Sequence, residues 1–216
     1  TGATGSSPSG LYNVNGTLYF TADDGIRGVE LWKSDGTTAG TVLAKDIKGR
    51  TPSASPNSLI DVNGTLYFKA NDGVNGYQLW KIDPTTGNPV RLVTPNLYGN
   101  DASSLDSFTN VGGKLYFRQY YYNYNYYTFS RTLYTIDSTT GNPVTVTGVE
   151  SVESLTNING VLYFSGSGNN TGQELWKLDP TTGTPTVIDI VSGSGSSSPT
   201  NLTNVNGTLF FTASNS

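Results

Sequence analysis

The stretch Val14-Asn15-Gly16-Thr17-Leu18-Tyr19-Phe20 decides the fold, because the chain repeats it four more times. The other copies occupy residues 62–68, 111–117, 158–164 and 205–211. Their glycines recur 48, 49, 47 and 47 residues apart, and a fixed period of this size is typical of repeat architectures. The sequence therefore predicts one repeat domain over 1–216, with units at about residues 10–57, 58–106, 107–153 and 154–200 and a half-repeat at 201–216.

Each repeat contains four short apolar segments without helical periodicity. In repeat one they are residues 11–14, 17–22, 30–33 and 41–47, rich in aromatic or β-branched side chains, as strands are. Two-residue Asn-Gly or Gly-Gly turns join the first two segments, and such turns suit a type I′ hairpin with positive φ at both positions. Turns that begin with Asp join the last two. Each repeat is predicted to be a four-stranded antiparallel meander in an all-β protein.

The strand centres carry consecutive apolar residues, such as Leu18-Tyr19-Phe20 and Leu31-Trp32. Consecutive apolar residues place large side chains on both faces of a sheet, so both faces should be covered. The blades of a β-propeller satisfy this requirement, because each sheet packs between two neighbours. We predict a β-propeller of four-stranded antiparallel blades. A β-solenoid and two stacked sandwiches are the alternatives.

The count of strands is uneven. Five copies of the first hairpin but four of the second give about 18 strands, or four and a half blades. Either a five-bladed ring ends in a half-blade, left short or completed by another chain, or four blades close and a spare hairpin points outward. An open strand edge is usually covered or used for pairing. Self-assembly is therefore expected.

Composition excludes several classes of function. Charged residues make up 13% of the chain and the net charge is −4 without a basic run, which disfavours a nucleic-acid partner. The absence of Cys and His removes the commonest metal ligands and general base. No apolar stretch is long enough for a membrane helix, so membrane insertion is not expected. Weakly charged loops rich in Gly, Ser, Thr and Asn indicate an extracellular or cell-surface protein, and the lack of Met indicates a processed or excised chain.

The segment Glu30-Leu31-Trp32-Lys33-Ser34-Asp35-Gly36-Thr37, preceded by Ala22-Asp23-Asp24-Gly25, resembles the bacterial ELWxxDGT-repeat proteins. Repeats two and four keep Gln78-Leu79-Trp80-Lys81 and Glu174-Leu175-Trp176-Lys177, whereas repeat three has Tyr134 in place of the Trp. The resemblance implies propeller-like modules of large secreted or surface proteins. It implies no enzyme activity and no catalytic residues.

A tyrosine-rich segment interrupts repeat three and lengthens the connection between its second and third strands by five residues. Tyrosine offers a flat apolar ring with a polar tip, which suits contact with protein or sugar. The alternative is that the segment forms two lengthened strands whose tyrosines pack on the neighbouring blade. The candidate contact residues are Tyr120, Tyr121, Tyr122, Tyr124, Tyr126 and Tyr127.

Two other residue sets have structural explanations. Trp32, Trp80 and Trp176 hold the same place in their repeats, so they are expected in the core rather than as sugar platforms. Three aspartates in Gly-rich turns are candidate calcium ligands. Turn chemistry alone explains why Asp occurs at these positions, so no cofactor is expected. These aspartates are Asp23, Asp24 and Asp72.

The sequence thus predicts a non-enzymatic extracellular β-propeller that acts in structural self-assembly or protein–protein contact, for example in a filament or surface layer. No paired catalytic acid and base can be named, which argues against an enzyme. Expected partners are copies of itself or other surface proteins. The alternative is a carbohydrate-binding, lectin-like propeller that uses residues 120–127.

Overall fold

A computed structural model describes residues 5–49, 53–93, 104–123, 127–168 and 170–215. These residues form 18 β-strands and no helix, which confirms the all-β prediction. None of them belongs to a helix that could cross a membrane.

The strands follow the repeats. Repeat one contains β1 (Ser9–Val14), β2 (Thr17–Asp23), β3 (Val29–Ser34) and β4 (Val42–Lys45). Repeat two contains β5 (Asn57–Val62), β6 (Thr65–Asn71), β7 (Tyr77–Ile82) and β8 (Pro89–Leu92). Repeat three contains β9 (Ser104–Val111), β10 (Lys114–Asn123), β11 (Thr128–Ile136) and β12 (Pro143–Thr145). Repeat four contains β13 (Glu150–Ile158), β14 (Val161–Gly168), β15 (Thr171–Leu178) and β16 (Pro185–Ile188). The half-repeat contains β17 (Thr200–Val205) and β18 (Thr208–Thr212).

Each set of four strands forms its own antiparallel sheet in chain order, and β17 pairs with β18 alone. The predicted four-stranded meanders are therefore confirmed. The chain divides into two compact units, residues 1–101 and 102–216. The first unit contains the sheets of repeats one and two, and the second contains the remaining three sheets.

The hairpin turns have the dihedral angles that the Asn-Gly sequence predicts. Asn15 and Gly16 have φ of 51° and 81°, and all five copies of the turn have positive φ at both positions. This is the type I′ geometry that matches the twist of paired strands. The turn asparagines also join successive repeats within a unit: the Asn15 side chain donates to the Gly64 carbonyl at 3.0 Å, and that of Asn159 to the Gly207 carbonyl at 3.0 Å.

A β-bulge interrupts the first strand of every repeat, which the sequence did not indicate. The pairing register shifts between Ser9 and Tyr12 in β1 and at the matching place in the other four copies. One residue at each shift has positive φ. Bulges bend a strand and increase its twist, so the strand continues beyond the shift at a new angle. The residues with positive φ are Gly10, Ser58, Ser107, Ser154 and Asn201.

Each unit has its own apolar core between two sheets. In the first unit, Leu31 of β3 packs with Phe68 and Trp80 of repeat two. In the second unit, Leu133 of β11 packs with Phe164 and Trp176 of repeat four. Consecutive residues of the second strands are buried, as in 66–68 of β6 and 115–117 of β10. The prediction that both sheet faces are covered is met in these strands.

Candidate contact site in repeat three

The tyrosine-rich segment lies on two lengthened strands. Tyr120, Tyr121 and Tyr122 belong to β10, which pairs with β11 as far as Asn123 and Thr128. Tyr127 follows the tip and is 78% exposed. Tyr124 and Tyr126 lie outside the described residues. The lengthened strands of the alternative are therefore observed, but Tyr127 is exposed near the tip rather than packed on a neighbouring blade.

The aromatic face of this hairpin is defined here as Tyr120, Tyr122 and Phe129. Tyr122 pairs directly with Phe129 across the strands, and their ring centroids are 4.7 Å apart. The ring of Tyr120 lies 5.6 Å from that of Phe129. Phe129 nevertheless remains 60% exposed. Tyr121 pairs with Ser130 and so belongs to the opposite face. The face is thus a preformed platform with open ring surface.

In repeats one and four, a buried glutamate holds the crossover that leads to the next sheet. Glu30 accepts backbone N–H groups from Ile47 at 3.1 Å and Ala54 at 3.0 Å. Glu174 accepts those of Ile190 at 3.0 Å and Ser197 at 2.7 Å, and the Ser197 hydroxyl at 2.6 Å. The glutamate of the Glu-Leu-Trp motif therefore fastens the crossover to the third strand, and we call Glu30 and Glu174 the fastening glutamates.

The two glutamates ionise differently. Burial raises the pKa of Glu30, and the nearby Asp46 and Asp24 carboxylates raise it further. The two amide hydrogen bonds lower this pKa but do not outweigh the burial. Burial also disfavours the charged form of Glu174, but the hydrogen bonds from Ser197 and Ile190 outweigh it and lower the pKa of that carboxyl.

The same crossovers cover the outer edge of the third strand. In repeat one, the Val29 N–H donates to Ser53 Oγ at 2.8 Å and the Val29 carbonyl accepts the Ser55 N–H at 3.1 Å. In repeat four, the Gln173 N–H donates to Ser196 Oγ at 3.0 Å and its carbonyl accepts the Ser198 N–H at 2.9 Å. An extended serine-rich segment thus occupies the edge in both repeats.

Repeat three lacks the glutamate and has a shorter crossover. Thr132 stands where the other repeats have Glu30 and Glu174. Its crossover, from Thr145 to Ser151, is five residues shorter than the one from Val187 to Ser198 in repeat four. β12 pairs with β11 at residues 134–136 alone, and the short crossover leads directly into β13, which packs against β11.

The result is an open cleft of about 570 Å³ between β11 and the short crossover, which we call the repeat-three cleft. Most of its lining is uncharged. A cleft of this size is large enough for a ligand or a peptide segment. Its lining includes Phe129, Arg131, Thr132, Thr147, Gly148 and Glu150.

Arg131 of the cleft lining is paired, as is the neighbouring Arg118 of β10. Arg131 contacts Glu153 at 3.0 Å and lies 5.8 Å from the Tyr120 ring centroid. Arg118 makes two hydrogen bonds to Asp106, at 2.8 and 2.9 Å, which raise the pKa of the guanidinium. The cleft therefore presents main-chain groups, hydroxyls and one aromatic platform rather than a concentrated charge.

The candidate calcium ligands serve their own turns. Asp23 accepts the Gly25 N–H at 2.7 Å, and Asp24 accepts the Ile26 and Arg27 N–H groups and pairs with the Arg27 side chain. These amide hydrogen bonds, that of Arg27 foremost, lower the pKa of Asp24. Asp72 makes the matching contacts in repeat two. The described residues contain no group of three or more acidic side chains that could hold a metal ion.

The tryptophans lie within the sheets. Trp80 and Trp176 are buried, and Trp32 is half-buried. Each indole N–H donates to a carbonyl of the second strand of its own sheet, that of Ala22, Ala70 or Gly166. The rings of Trp80 and Trp176 stack on Phe68 and Phe164. Their surroundings are those of core residues, with no open ring face in Trp176.

The outer edge of β18 is unpaired within the described residues. Within the described chain, β18 pairs with β17 and with no other strand. Val205 is 46% exposed and Phe210 57% exposed. Open edges of this kind are usually covered or used for pairing.

Sequence reasoning found the tyrosine segment but missed Phe129, Arg131 and Thr132. The available signal was length: comparing the crossovers of repeats three and four shows the five missing residues. The position of the resulting cleft depended on the register of β11 with β12, which the sequence does not reveal.

Solved structures similar to this chain have propeller-type folds. A structure from an analysis of two prolyl endopeptidases is 16% identical over 80% of this chain and 24% of its own, with a TM-score of 0.51. A puromycin hydrolase is 18% identical over 87% of this chain and 28% of its own, with a TM-score of 0.51. A puromycin-hydrolyzing peptidase from Mycobacterium tuberculosis is 12% identical over 97% of this chain and 34% of its own, with a TM-score of 0.52.

This chain therefore spans about a quarter to a third of the length of those structures. At such low identity the likeness concerns the fold alone. No family model matches the chain, and no curated protein is significantly similar to it. The coarse fold is thus an all-β, propeller-type arrangement of four-stranded antiparallel sheets.

Proposed function

We propose that this chain is a non-enzymatic binding module that associates with further copies of itself, and that the contact is made by the repeat-three cleft and its aromatic face. One observation carries the proposal. In repeat three, a hairpin longer by five residues coincides with a crossover shorter by five residues. Together these changes leave exposed aromatic rings beside an open cleft, as interaction surfaces do.

The finer architecture and setting belong to the same proposal. The chain is a five-bladed-like ring of four full blades and a hairpin, related to the ELWxxDGT repeats, and it acts outside the cell or at its surface. The regular meanders, the propeller-type neighbours and the scarcity of charged residues support this. A filament or surface layer is the expected assembly.

The state of the acidic residues near the cleft supports a non-enzymatic role. Asp106 is held by Arg118 and Glu153 by Arg131, whereas Glu150 is exposed. Acid–base catalysis by two carboxylates requires side chains that face a common substrate position and have separated pKa values. Asp101, the remaining acidic residue of the linkers, lies outside the described residues.

Self-association is expected to depend on the exposed rings. The double substitution Tyr127→Ser and Phe129→Ser removes two exposed apolar surfaces while leaving the buried core intact, so association should weaken at least about tenfold. Sedimentation velocity over a concentration series measures it. Val205→Ser with Phe210→Ser is the matched control on the half-repeat. Loss of association in the control alone would place the contact at β18, and a wild-type monomer at millimolar concentration would contradict the proposal.

A carbohydrate ligand is the second candidate, favoured by the open ring of Phe129 beside hydroxyl-rich walls. In that case wild-type protein binds defined glycans on an array, and Tyr122→Ala with Phe129→Ala abolishes the signal. Tyr121→Ala, on the opposite face of the hairpin, should leave the signal unchanged. An array without reproducible hits removes this candidate.

A further inference from the structure

Tyr127 has an unusual backbone conformation for its side chain. It lies directly before β11, and its φ is 53°, in the left-handed region. Every other described residue with positive φ is glycine, serine or asparagine. Glycine and asparagine adopt this region readily, whereas a bulky side chain is strained there. The turn would therefore form more easily with asparagine or glycine in place of Tyr127.

Packing within the chain does not explain this tyrosine. Its side chain is 78% exposed. It does not line the repeat-three cleft of its own molecule, although Phe129, two residues later, does. The ring contacts among the described residues of the hairpin join Tyr120, Tyr122 and Phe129 and leave out Tyr127. Strain that is retained at an exposed position is typical of a functional site, so we look for its contact outside the chain.

The repeat-three cleft has the chemistry that receives a tyrosine side chain. Phe129 offers an open ring for an aromatic pair. The exposed Glu150 carboxylate and the Thr147 hydroxyl, both in the lining, can accept the phenol O–H. A neutral group suits the cleft, because Arg131 is already paired with Glu153. The volume of about 570 Å³ is ample for one tyrosine ring.

The protruding tyrosine and the cleft belong to the same repeat. The connection that carries Tyr127 is five residues longer than in the other repeats, and the crossover that forms the cleft is five residues shorter than in repeat four. A second copy of the chain therefore presents one matching group and one matching cleft. Because Tyr127 and Phe129 are two residues apart, the two surfaces are adjacent, and two molecules can exchange tyrosines about a twofold axis. Twofold contacts are the commonest kind in homo-oligomers.

We propose that Tyr127 of one molecule inserts into the repeat-three cleft of a second molecule, which returns the same contact. The Tyr127 ring packs on the partner's Phe129, and its hydroxyl donates to the partner's Glu150. Tyrosine is among the residues that contribute most to binding at protein interfaces, which fits a contact centred on this side chain. This inference rests on the proposed self-association and names its contact.

The reciprocal contact forms a closed dimer, because each molecule uses its tyrosine and its cleft on the same partner. Growth into a filament or layer then requires another surface. Assemblies larger than a dimer that depend on Tyr127 would overturn the reciprocal exchange.

Tyr127→Asn tests the strain and the contact together. Asparagine tolerates positive φ, so the midpoint of urea unfolding should rise in dilute solution, where the wild type is monomeric. Association measured by sedimentation velocity should nevertheless weaken at least about tenfold, because the inserted ring is lost. A lower unfolding midpoint for Tyr127→Asn would show that the tyrosine serves the fold, and would contradict the inference.

Two controls belong to this variant. Tyr127→Phe keeps the ring and removes the hydroxyl, so its association should weaken by no more than about fivefold, the effect of one hydrogen bond. Tyr121→Asn removes a tyrosine from the opposite face of the hairpin and should leave association unchanged. Equal losses for Tyr127→Asn and Tyr121→Asn would contradict a contact made by Tyr127.

Thr147→Trp tests the cleft, and Thr147→Ser is its matched control. Thr147 is exposed, so an indole can fill the cleft without entering the core, and association should weaken at least about tenfold relative to the control. Mixing gives the decisive result. Tyr127→Asn retains an open cleft and Thr147→Trp retains the tyrosine, so the mixture should form a one-to-one complex more readily than either variant associates alone. No gain on mixing, with both variants folded by circular dichroism, would contradict the insertion.

The outcomes separate this contact from the proposed function. If Tyr127→Ser with Phe129→Ser weakens association while Tyr127→Asn and Thr147→Trp associate like the wild type, the proposed function stands and the tyrosine insertion is wrong. If the wild type stays monomeric up to millimolar concentration, both are wrong.

Discussion

Replacing Trp176 by alanine is expected to lower the free energy of unfolding by about 3–5 kcal/mol. Trp176 is fully buried, stacks on Phe164 and donates its indole N–H to the Gly166 carbonyl at 2.9 Å. The substitution opens a cavity between the sheets of repeats three and four and leaves a buried carbonyl without its donor. Urea unfolding followed by circular dichroism measures the change.

Trp32→Ala is the matched control for this prediction. Trp32 holds the same position in repeat one and donates to the Ala22 carbonyl, but it is half-buried. Trp32→Ala should lower the free energy of unfolding by roughly half as much as Trp176→Ala, because less apolar area returns to water. Equal losses for the two variants would contradict a core role that depends on burial. A loss below 1 kcal/mol for Trp176→Ala would contradict it outright.

The period and the turn chemistry were enough to predict most of the fold. Asn15-Gly16 and its copies required positive φ at two successive positions, and that requirement fixed the hairpins and their register. The bulges could not be predicted in the same way. The residue with positive φ is glycine in β1 but serine or asparagine in the other copies, so the pattern carries no consistent signal.

The candidate site was predicted in part, for a similar reason. The tyrosines stood out by composition, yet composition could not separate an exposed loop from lengthened strands. The structure shows strands with open rings near the tip. The cleft depends on a crossover that is five residues shorter than in repeat four, and its size and lining could be seen only in the folded chain. The role of Glu30 and Glu174 likewise required geometry, because the motif alone does not show which amides they accept.

Glu174→Ala is expected to lower the free energy of unfolding by roughly 3 kcal/mol, because it leaves the N–H groups of Ile190 and Ser197 and the Ser197 hydroxyl without their acceptor. Lys177→Ala is the control on the same strand. Lys177 is exposed, so its loss should change stability by less than about 0.5 kcal/mol. Urea unfolding at neutral pH compares the two, and similar values would show that Glu174 does not fasten the crossover.

The pH dependence separates the two fastening glutamates. The folded pKa of Glu174 lies below its unfolded value, so its stabilisation is present above the unfolded pKa and is lost as pH falls through the folded pKa. The stability deficit of Glu174→Gln should therefore shrink on acidification. The folded pKa of Glu30 is raised by burial, so the wild type gains stability relative to Glu30→Gln as pH falls through that value, and the deficit of Glu30→Gln should grow. Urea unfolding of the three proteins between neutral and acidic pH measures both trends. Parallel trends would mean that the hydrogen bonds from Ser197 do not outweigh the burial of Glu174.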